Sequence, residues 1–387
     1  MHAIDATMRP WLDRIVQETG PLELYDAHTH IGRNDPDGYT QTPDELIEAL
    51  AAAGARGVVF PMHEPDGYAA ANDAVLAAAG AHPERLVAYC RVSPHDGALA
   101  EARRALDAGA RGIKLHPRAE QFGMAEPAVA ELVALAHERA VPVLIHAGRG
   151  IPALGQNTVR LAARYPDAHL ILAHGAISDL AWLWRVLPEH PNVLIDTSWW
   201  SPTDLVALLA LAPPANVVWA SDSPYGRPAA GAVLTLRCAL QAGLTPAQVR
   251  GVAGGTLARL LAGEAPADLG PPPGQPVRAL DLLLERVVTN LSTTFGRLTA
   301  RAELTEPLGL ARLACAVGTD GHLADVFAAV LDELDRFEAE ITTAEVGRPF
   351  PPAVRHLVHA LCIARTPDVP LPPLPGAPSP TRAEAEA

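Results

Sequence analysis

Short runs of Val, Ile and Leu alternate with Ala- and Leu-rich stretches between about residues 22 and 222. Each apolar run ends in a polar residue, and the stretch that follows has its apolar residues at helical spacing. Eight of the runs are predicted to be strands: 22–28, 56–61, 85–92, 110–116, 141–146, 168–174, 191–196 and 216–222. Helices are predicted between them, among others at 43–53, 97–108, 126–138 and 202–211.

Near-continuous apolar strands that alternate with helices indicate a parallel sheet that helices cover on the outside. Eight such units in about 200 residues match a closed (β/α)8 barrel, the TIM barrel. A doubly wound open sheet is the alternative, and it usually has a Gly-rich phosphate turn after its first strand. The corresponding turn here, 28–32, reads HTHIG. We therefore predict an α/β protein with a (β/α)8 TIM barrel.

The barrel is predicted to span 22–264, after an N-terminal helical segment at 1–21. A stretch rich in Pro, Gly and Ala at 265–276 is predicted to be a linker. Residues 277–365 have apolar residues at helical spacing and lack a strand signal, so we predict a bundle of three or four helices. The tail at 366–387 is Pro-rich and then Glu/Ala-rich, and we predict that it is disordered.

Composition narrows the class of protein. The chain has 387 residues and a formal net charge of −14, whereas a nucleic-acid-binding surface needs an excess of basic residues. No apolar run reaches the roughly 20 residues that span a bilayer. The cysteines form no CxxC pair, which favours a reducing compartment. We expect a soluble, cytoplasmic protein that acts on a small molecule and binds neither nucleic acid nor membrane; assembly into a homo-oligomer stays open.

Polar residues that can bind metal stand at the ends of the predicted strands. In this fold the C-terminal ends of the strands converge on one mouth of the barrel, where active sites lie. His28 and His30 are two residues apart on a strand, so both side chains are on one face. Imidazoles together with a carboxylate suit Zn²⁺ or a similar ion. The strand-end residues are His28, His30, His63, His116, His146, His174, Asp196 and Asp222.

Several of these residues lie in motifs that resemble the amidohydrolase superfamily. The match is best to its amidohydrolase-related branch, which contains metal-dependent TIM-barrel hydrolases and decarboxylases. The resemblance covers about 22–262 and leaves out the predicted helical bundle. The motifs, in chain order, are YDAHTHIG at 25–32, GIKLHP at 112–117, VLIHAG at 143–148, LAHG at 172–175, ASDSP at 220–224 and GTLARLL at 255–261.

The resemblance implies a metal site and a catalytic mechanism. By it, His28, His30, His146 and Asp222 are the metal ligands. Asp222 is also the group that takes a proton from the metal-activated water and returns it to the leaving group. His174 is implied to be catalytic, through a hydrogen bond to the substrate oxygen or to the water. The alternative for His174 is a structural one, in which it orients another ligand.

Lys114 bears on the number of ions. In members with two metals, a carbamylated lysine at this strand bridges them, so a second ion bridged by Lys114 is open. The GIKLHP form is typical of the branch in which one metal is usual, and we expect one divalent ion, with Zn²⁺ preferred. Lys114 is then a cation that binds a substrate carboxylate or pairs with Asp26 or Asp222. His116 and Arg149 are expected to bind substrate, although a capping hydrogen bond before Pro117 explains His116 equally well.

The family includes more than one chemistry. We expect hydrolysis of a C–N or C–O bond in an amide, lactam, lactone or ester of a small molecule; whether the molecule is anionic stays open. The alternative is a metal-dependent decarboxylase, a lyase acting on an unsaturated or aromatic carboxylate. A non-catalytic binding barrel ranks third, because it predicts that metal ligands have been lost and none is missing from the motifs.

Overall fold

The computed structural model describes residues 3–95, 97–274, 279–319, 321–341 and 351–373. All strand pairs within these ranges are parallel. The strands are β1 (Leu24–Ile31), β2 (Ala55–Pro61), β3 (Leu86–Ala88), β4 (Cys90–Arg91), β5 (Ile113–Leu115), β6 (Pro142–Ile145), β7 (His169–Leu172), β8 (Val193–Asp196) and β9 (Val217–Val218).

Helices follow most of the strands and then form the C-terminal part of the structure. None of the helices in the described ranges is long and apolar enough to cross a membrane. They are α1 (Ala3–Thr19), α2 (Pro43–Ala53), α3 (Ala69–Ala81), α4 (Ala98–Asp107), α5 (Pro127–Arg139), α6 (Leu154–Arg164), α7 (Leu180–Leu183), α8 (Pro202–Leu211), α9 (Pro228–Ala242), α10 (Pro246–Arg250), α11 (Thr256–Leu261), α12 (Leu282–Thr299), α13 (Thr305–Ala314), α14 (Ala324–Glu340) and α15 (Val354–Arg365).

The strands close into a barrel in chain order. β3 and β4 are two parts of one barrel strand, because Tyr89 between them still donates its backbone N–H to Val59 O at 2.9 Å. The last strand segment returns to β1, where Ala27 N donates to Trp219 O at 3.0 Å. Further along β1, His30 N donates to the backbone carbonyl after Asp222 at 2.8 Å. The prediction of a (β/α)8 TIM barrel is confirmed.

Two helix starts show how local sequence sets these boundaries. Thr42 caps α2, and its side chain accepts from the backbone of Glu45 while the Glu45 carboxylate accepts in return. Ser201 caps α8 through the backbone N–H of Asp204. In both helices a proline occupies the first helical position, where the missing N–H leaves no helical hydrogen bond unmade.

The helical extension, α12 to α15, has a hydrophobic core of its own, separate from the core between the barrel and its surrounding helices. Its centre is formed by Leu291, Phe327, Val330, Leu334 and Leu357, all buried. The prediction for this part of the chain was a bundle of three or four helices at 277–365 and a disordered tail at 366–387. The structure describes the tail as far as residue 373, and 374–387 lie outside the described residues.

Arg237 of α9 joins the extension to the barrel. Its guanidinium is buried and donates to Thr366 Oγ1 at 3.0 Å, to Thr366 O at 3.0 Å, to Val369 O at 3.1 Å and to Pro370 O at 3.0 Å. The same group lies over the ring of Trp11 in α1, 5.1 Å from its centroid. The start of the predicted tail is ordered because a barrel arginine satisfies its carbonyl groups.

A second connection lies at the mouth of the barrel. Trp200, in the loop after β8, stacks on Phe295 of α12 with ring centroids 4.0 Å apart and an interplanar angle of 20°. Helix α12 therefore contacts a loop that borders the C-terminal ends of the strands.

Candidate metal centre

Histidines and a carboxylate from distant strands meet at the C-terminal mouth of the barrel. His28 and His30, both on β1, place their Nε2 atoms 3.1 Å from Asp222 Oδ1. His174, after β7, completes a group with His28 and Asp222 in which the candidate ligand atoms all lie within 4.8 Å of one another. Three of the predicted strand ends thus converge on one point, as the barrel geometry requires.

His146 lies beside this group and contacts it through His174. Its Nδ1 is 2.9 Å from His174 Nε2, and His174 Nδ1 is 2.9 Å from Ser198 O. Because the Ser198 carbonyl only accepts, His174 carries its proton on Nδ1, and His146 donates from its own Nδ1. The lone pair of His146 is then on Nε2, a buried atom without a hydrogen-bond partner in the described part of the chain.

Gly148 makes room for the His146 ring. A Cβ atom at position 148 would lie 2.6 Å from His146 Nε2, closer than any real Cβ contact. The motif VLIHAG therefore has glycine at this position because any larger residue would clash with the His146 ring.

Burial favours the neutral form of His28, His30, His116 and His146. Burial lowers the pKa of His28 and His30 well below the usual value, and the positive charge of Lys114 lowers both further. Burial likewise lowers the pKa of His116 and His146, with additional repulsion from His146 and His174, respectively. A neutral imidazole keeps a lone pair on one ring nitrogen, which is the form that binds metal.

Lys114 is fully buried on β5 and its Nζ lies 3.2 Å from His28 Nε2. It also stands over the ring of Phe60, with Nζ 4.9 Å from the centroid. Burial, and secondly the charge of Arg91, lower the pKa of Lys114 to about 7. The structure thus places Lys114 against His28, a partner that the sequence did not suggest.

Asp222 is held in an unusual backbone conformation. Its φ is 58°, and that of His174 is also 58°, in the left-handed region that non-glycine residues seldom adopt. Such strain is found mainly at functional sites, where the surrounding fold enforces it. Burial raises the pKa of Asp222 to about 6, although the nearby His174 and Lys114 act in the opposite direction.

Asp196 lies at the end of β8 and positions His28 and His174. The sequence singled it out only as a polar residue at a strand end. Its Oδ2 lies 2.8 Å from His28 Nδ1, and its Oδ1 accepts from the backbone N–H of His174 at 2.9 Å. Ser198 Oγ donates to the same Oδ1 at 2.6 Å. A carboxylate behind a ligand histidine fixes its tautomer and ring orientation.

Asp26 links the first and last strands of the barrel beneath the centre. Its Oδ1 accepts from the backbone N–H of His28 at 3.1 Å and of Ser221 at 2.9 Å. Burial raises the pKa of Asp26 to about 7. The aspartate of the motif YDAHTHIG therefore stabilises the backbone that carries His28.

Arg91 is a buried residue near the mouth that the sequence reading missed. Its Nη2 donates to Glu120 Oε1 at 2.6 Å, and Tyr68 OH donates to the same oxygen at 2.6 Å. Its Nη1 contacts Pro61 O at 3.3 Å. The available signal was a charged residue at the end of the apolar run 85–92, the same signal that marked the histidines.

The other two residues predicted to bind substrate, His116 and Arg149, differ in their surroundings. His116 Nδ1 accepts from Ala119 N at 3.1 Å, which is the capping role, while its ring stacks on His146 with centroids 3.8 Å apart. Arg149 is exposed in the turn after β6. Their roles in binding substrate stay predictions.

The donor set fits a divalent cation. Because His28 Nδ1 faces the carboxylate of Asp196, its proton is on Nδ1 and its lone pair on Nε2, which faces Asp222 Oδ1. A lone pair opposite a carboxylate oxygen is repulsive; Lys114 Nζ faces this lone pair at 3.2 Å, and a divalent cation held by His28 and Asp222 would remove the repulsion. Nitrogen and oxygen donors in this number are those of catalytic zinc sites.

Comparison with known proteins agrees with this geometry. An amidohydrolase family model matches residues 25–262, which covers the barrel from β1 to α11. The chain belongs to this amidohydrolase family. Its helical extension lies outside the match. No curated protein matches the chain.

Solved structures share the amidohydrolase barrel at low sequence identity. The 5-carboxyvanillate decarboxylase of Sphingomonas paucimobilis aligns with a TM-score of 0.50 and 18% identity, covering 62% of this chain and 99% of that one. A TIM-barrel protein of Bordetella bronchiseptica gives 0.51 and 17%, with coverage of 62% and 99%. A 2,6-dihydroxybenzoate decarboxylase in complex with 2,6-dihydroxybenzoate gives 0.51 and 14%, again with 62% and 99%. These likenesses establish the fold.

Proposed function

We propose that this amidohydrolase is a metal-dependent hydrolase that cleaves a C–N or C–O bond in a small amide, lactam, lactone or ester. The observation that carries the proposal is the meeting of His28, His174 and Asp222 at the barrel mouth. Asp222 sits there with a strained backbone and direct contacts to two neutral histidines.

In this proposal His28, His30, His146 and Asp222 hold one divalent ion, Zn²⁺ by preference. When bound, such an ion acts as a Lewis acid and lowers the pKa of a water ligand to about 7. The support for this set is that His28 and His30 share Asp222 Oδ1, and His146 adjoins the cluster through its hydrogen bond with His174. His174 belongs to the same cluster and is the alternative to His146 as a ligand.

The proton transfers belong to Asp222. The carboxylate takes a proton from the attacking water as the new bond to the substrate carbon forms, and it delivers that proton to the leaving nitrogen or oxygen. The role proposed for His174 is a hydrogen bond to the substrate oxygen as negative charge develops on it, which requires a proton on Nε2 in place of the hydrogen bond from His146. Asp196 and Asp26 keep His28 and its backbone in position during both steps.

A substrate with an anionic group suits the cations near the centre. Lys114 is the nearest, and its low pKa means that a bound carboxylate stabilises its protonated form. Arg149, on the exposed turn after β6, is a second candidate at the rim, and His116 is a third contact inside it.

A decarboxylase remains the second candidate. What favours it is that two of the structural relatives named above are decarboxylases of aromatic carboxylates. The metal ligands serve either chemistry, so the reaction type has to be measured.

A substrate panel distinguishes the two reactions. Zinc-loaded protein is incubated with amides, lactams, lactones, esters and aromatic carboxylates, and each reaction is analysed for new acid, amine or alcohol groups and for CO2. Hydrolysis products that disappear with Asp222→Asn support the proposal. Release of CO2 without hydrolysis would replace it by the second candidate.

Metal analysis of the same samples tests the ion count. A second ion bridged by carbamylated Lys114 predicts that Lys114→Ala lowers the barrel metal content and that bicarbonate raises it in the wild type. We expect neither change, because a single ion does not need the lysine.

A further inference from the structure

A second cluster of metal-binding side chains lies in the helical extension, outside the part of the chain that the family model matches. It consists of Glu333 on α14 and of His356 and His359 on α15. The three residues are 1%, 3% and 5% exposed, respectively. Their candidate ligand atoms all lie within 4.8 Å of one another.

The spacing along the chain explains why the side chains meet. Residues three apart on a helix project from the same side, so His356 and His359 both point from α15 toward α14. Glu333 lies opposite them, with Oε2 2.7 Å from His356 Nδ1 and 3.5 Å from His359 Nδ1. Two adjacent, regular helices are enough to build the cluster.

Hydrogen bonding inside the extension leaves this cluster incomplete. His356 has a carboxylate at each ring nitrogen, Glu333 at Nδ1 and Glu340 at Nε2, where the distance is 3.2 Å. His359 Nδ1 is buried 3.5 Å from Glu333 Oε2 and makes no hydrogen bond of good geometry with any described residue. Buried polar atoms without a hydrogen bond are rare and call for an explanation.

The carboxylate is in the form that binds a cation. Burial by itself would raise the pKa of Glu333, but the hydrogen bond from His356 and the nearby His359 and Arg336 hold this pKa well below its usual value. Arg336 also pairs with the other carboxylate oxygen, Oε1, and thereby leaves Oε2 to the two histidines.

We propose that Glu333, His356 and His359 form a second divalent metal site, of the zinc type, that joins α14 to α15. Two imidazole nitrogens and one carboxylate oxygen are a common protein ligand set for Zn²⁺. Glu340 behind His356 then has the position of a carboxylate that orients a ligand histidine, with the proton on Nε2 and the lone pair on Nδ1.

The site lies where the extension meets the barrel. A narrow cleft beside Glu333 and His359 is also lined by Trp11 of α1, Arg237 of α9 and Cys362 of α15. A water in this cleft would complete the coordination. An ion here fixes the face of α15 that packs against the barrel, so its role is structural.

The test counts metal in the full-length protein. Wild type, His359→Leu, Glu333→Gln and the control His322→Asn, an exposed histidine of the extension, are stripped with a chelator and reloaded with excess Zn²⁺. We expect wild type and control to hold one ion more per chain than either cluster variant. With Co²⁺ in place of Zn²⁺, the cluster variants lose one component of the visible absorption spectrum.

Comparing the metal content of wild type and variants also distinguishes binding at this site from binding at the barrel centre. If the barrel binds no ion, the difference between wild type and His359→Leu persists, and only the proposed function fails. Leucine suits an apolar cleft and glutamine keeps the shape of Glu333, and far-UV circular dichroism checks that both variants fold. Equal metal content and equal Co²⁺ spectra in all four proteins would overturn the second site and leave a hydrogen-bonded network only.

Discussion

The barrel mouth and the helical extension both bury histidines beside a carboxylate, but they build these clusters from different backbones. At the mouth, His28 and Asp222 come from the first and last strands of the barrel, and Asp222 and His174 have left-handed φ values. In the extension, Glu333 and His356 come from two neighbouring helices of regular geometry.

The surroundings differ in the same sense. In the extension, Arg336 pairs with Glu333 and Arg355 pairs with Glu340. These arginines close the cluster from the outside. At the mouth, Asp222 has no arginine partner among the described residues, and its side chain is 19% exposed. A strained and accessible carboxylate suits chemistry, whereas an enclosed one suits holding two helices together.

The largest expected effect tests the chemical side of this comparison. Asp222→Asn removes the group that accepts the proton, so we expect activity on a responsive panel substrate to fall by about 10³-fold, within the range for loss of a general base. The matched control is His322→Asn. It changes an exposed histidine that belongs to neither cluster, and it should retain wild-type activity. Comparable activity in Asp222→Asn would mean that the mouth is not the site of reaction.

The next effect concerns the joint between the two regions. Arg237→Ala removes four hydrogen bonds from a buried cation to 366–370. Hydrogen bonds to charged groups contribute about 1.5–3 kcal/mol each and are not additive, so we expect the free energy of unfolding to fall by about 3 kcal/mol.

Hydrogen exchange locates that change. Amides of α15 should exchange faster in Arg237→Ala, while those of β6 and β7 inside the barrel should keep their protection. Uniform loss of protection would show that the barrel and extension unfold as one unit.

A smaller effect is expected for the carboxylate behind the metal ligand. Asp196→Asn keeps a hydrogen-bond acceptor for His28 but loses the charge that fixes its tautomer. Changes at such positions lower metal affinity or activity by about 10–100-fold. Zinc competition with a chromophoric chelator measures this, and an unchanged affinity would remove Asp196 from the positioning role.

The smallest effect tests whether the extension influences the mouth. Phe295→Leu keeps an apolar side chain but loses the stacking on Trp200, which we expect to cost about 1 kcal/mol. The KM for a panel substrate should change more than kcat, because Trp200 lies in a loop that borders the mouth and is not one of the proposed catalytic residues. A change in stability with identical kinetics would show that α12 only covers the barrel.

The strands and their ends were predictable because a barrel imposes a strong local pattern. Every predicted strand overlaps a strand of the structure, and helices α2 and α8 begin and end where the sequence predicted. Apolar runs that end in His28, His146, His174 and Asp222 placed polar groups at one rim, and the structure brings those groups together there.

What the sequence did not reveal depends on contacts between distant segments. Arg91 pairs with Glu120, and Asp196 forms a hydrogen bond with His28. Hydrophobic periodicity predicts neither pair. Lys114 was expected to bind a substrate carboxylate or to pair with Asp26 or Asp222, and its contact with His28 was not foreseen. The order of 366–373 depends on one arginine of α9, and the cluster around Glu333 depends on the register between α14 and α15.

Arg237 has a consequence for how the protein is made. It lies on a barrel helix, stands over Trp11 near the start of the chain and holds carbonyl groups near residue 370. During synthesis the barrel strands leave the ribosome first, but the contacts of this side chain form only after the last described helix has emerged. Until residues 366–370 have been synthesised, the guanidinium of Arg237 is therefore exposed to water on the outer surface of the nascent barrel.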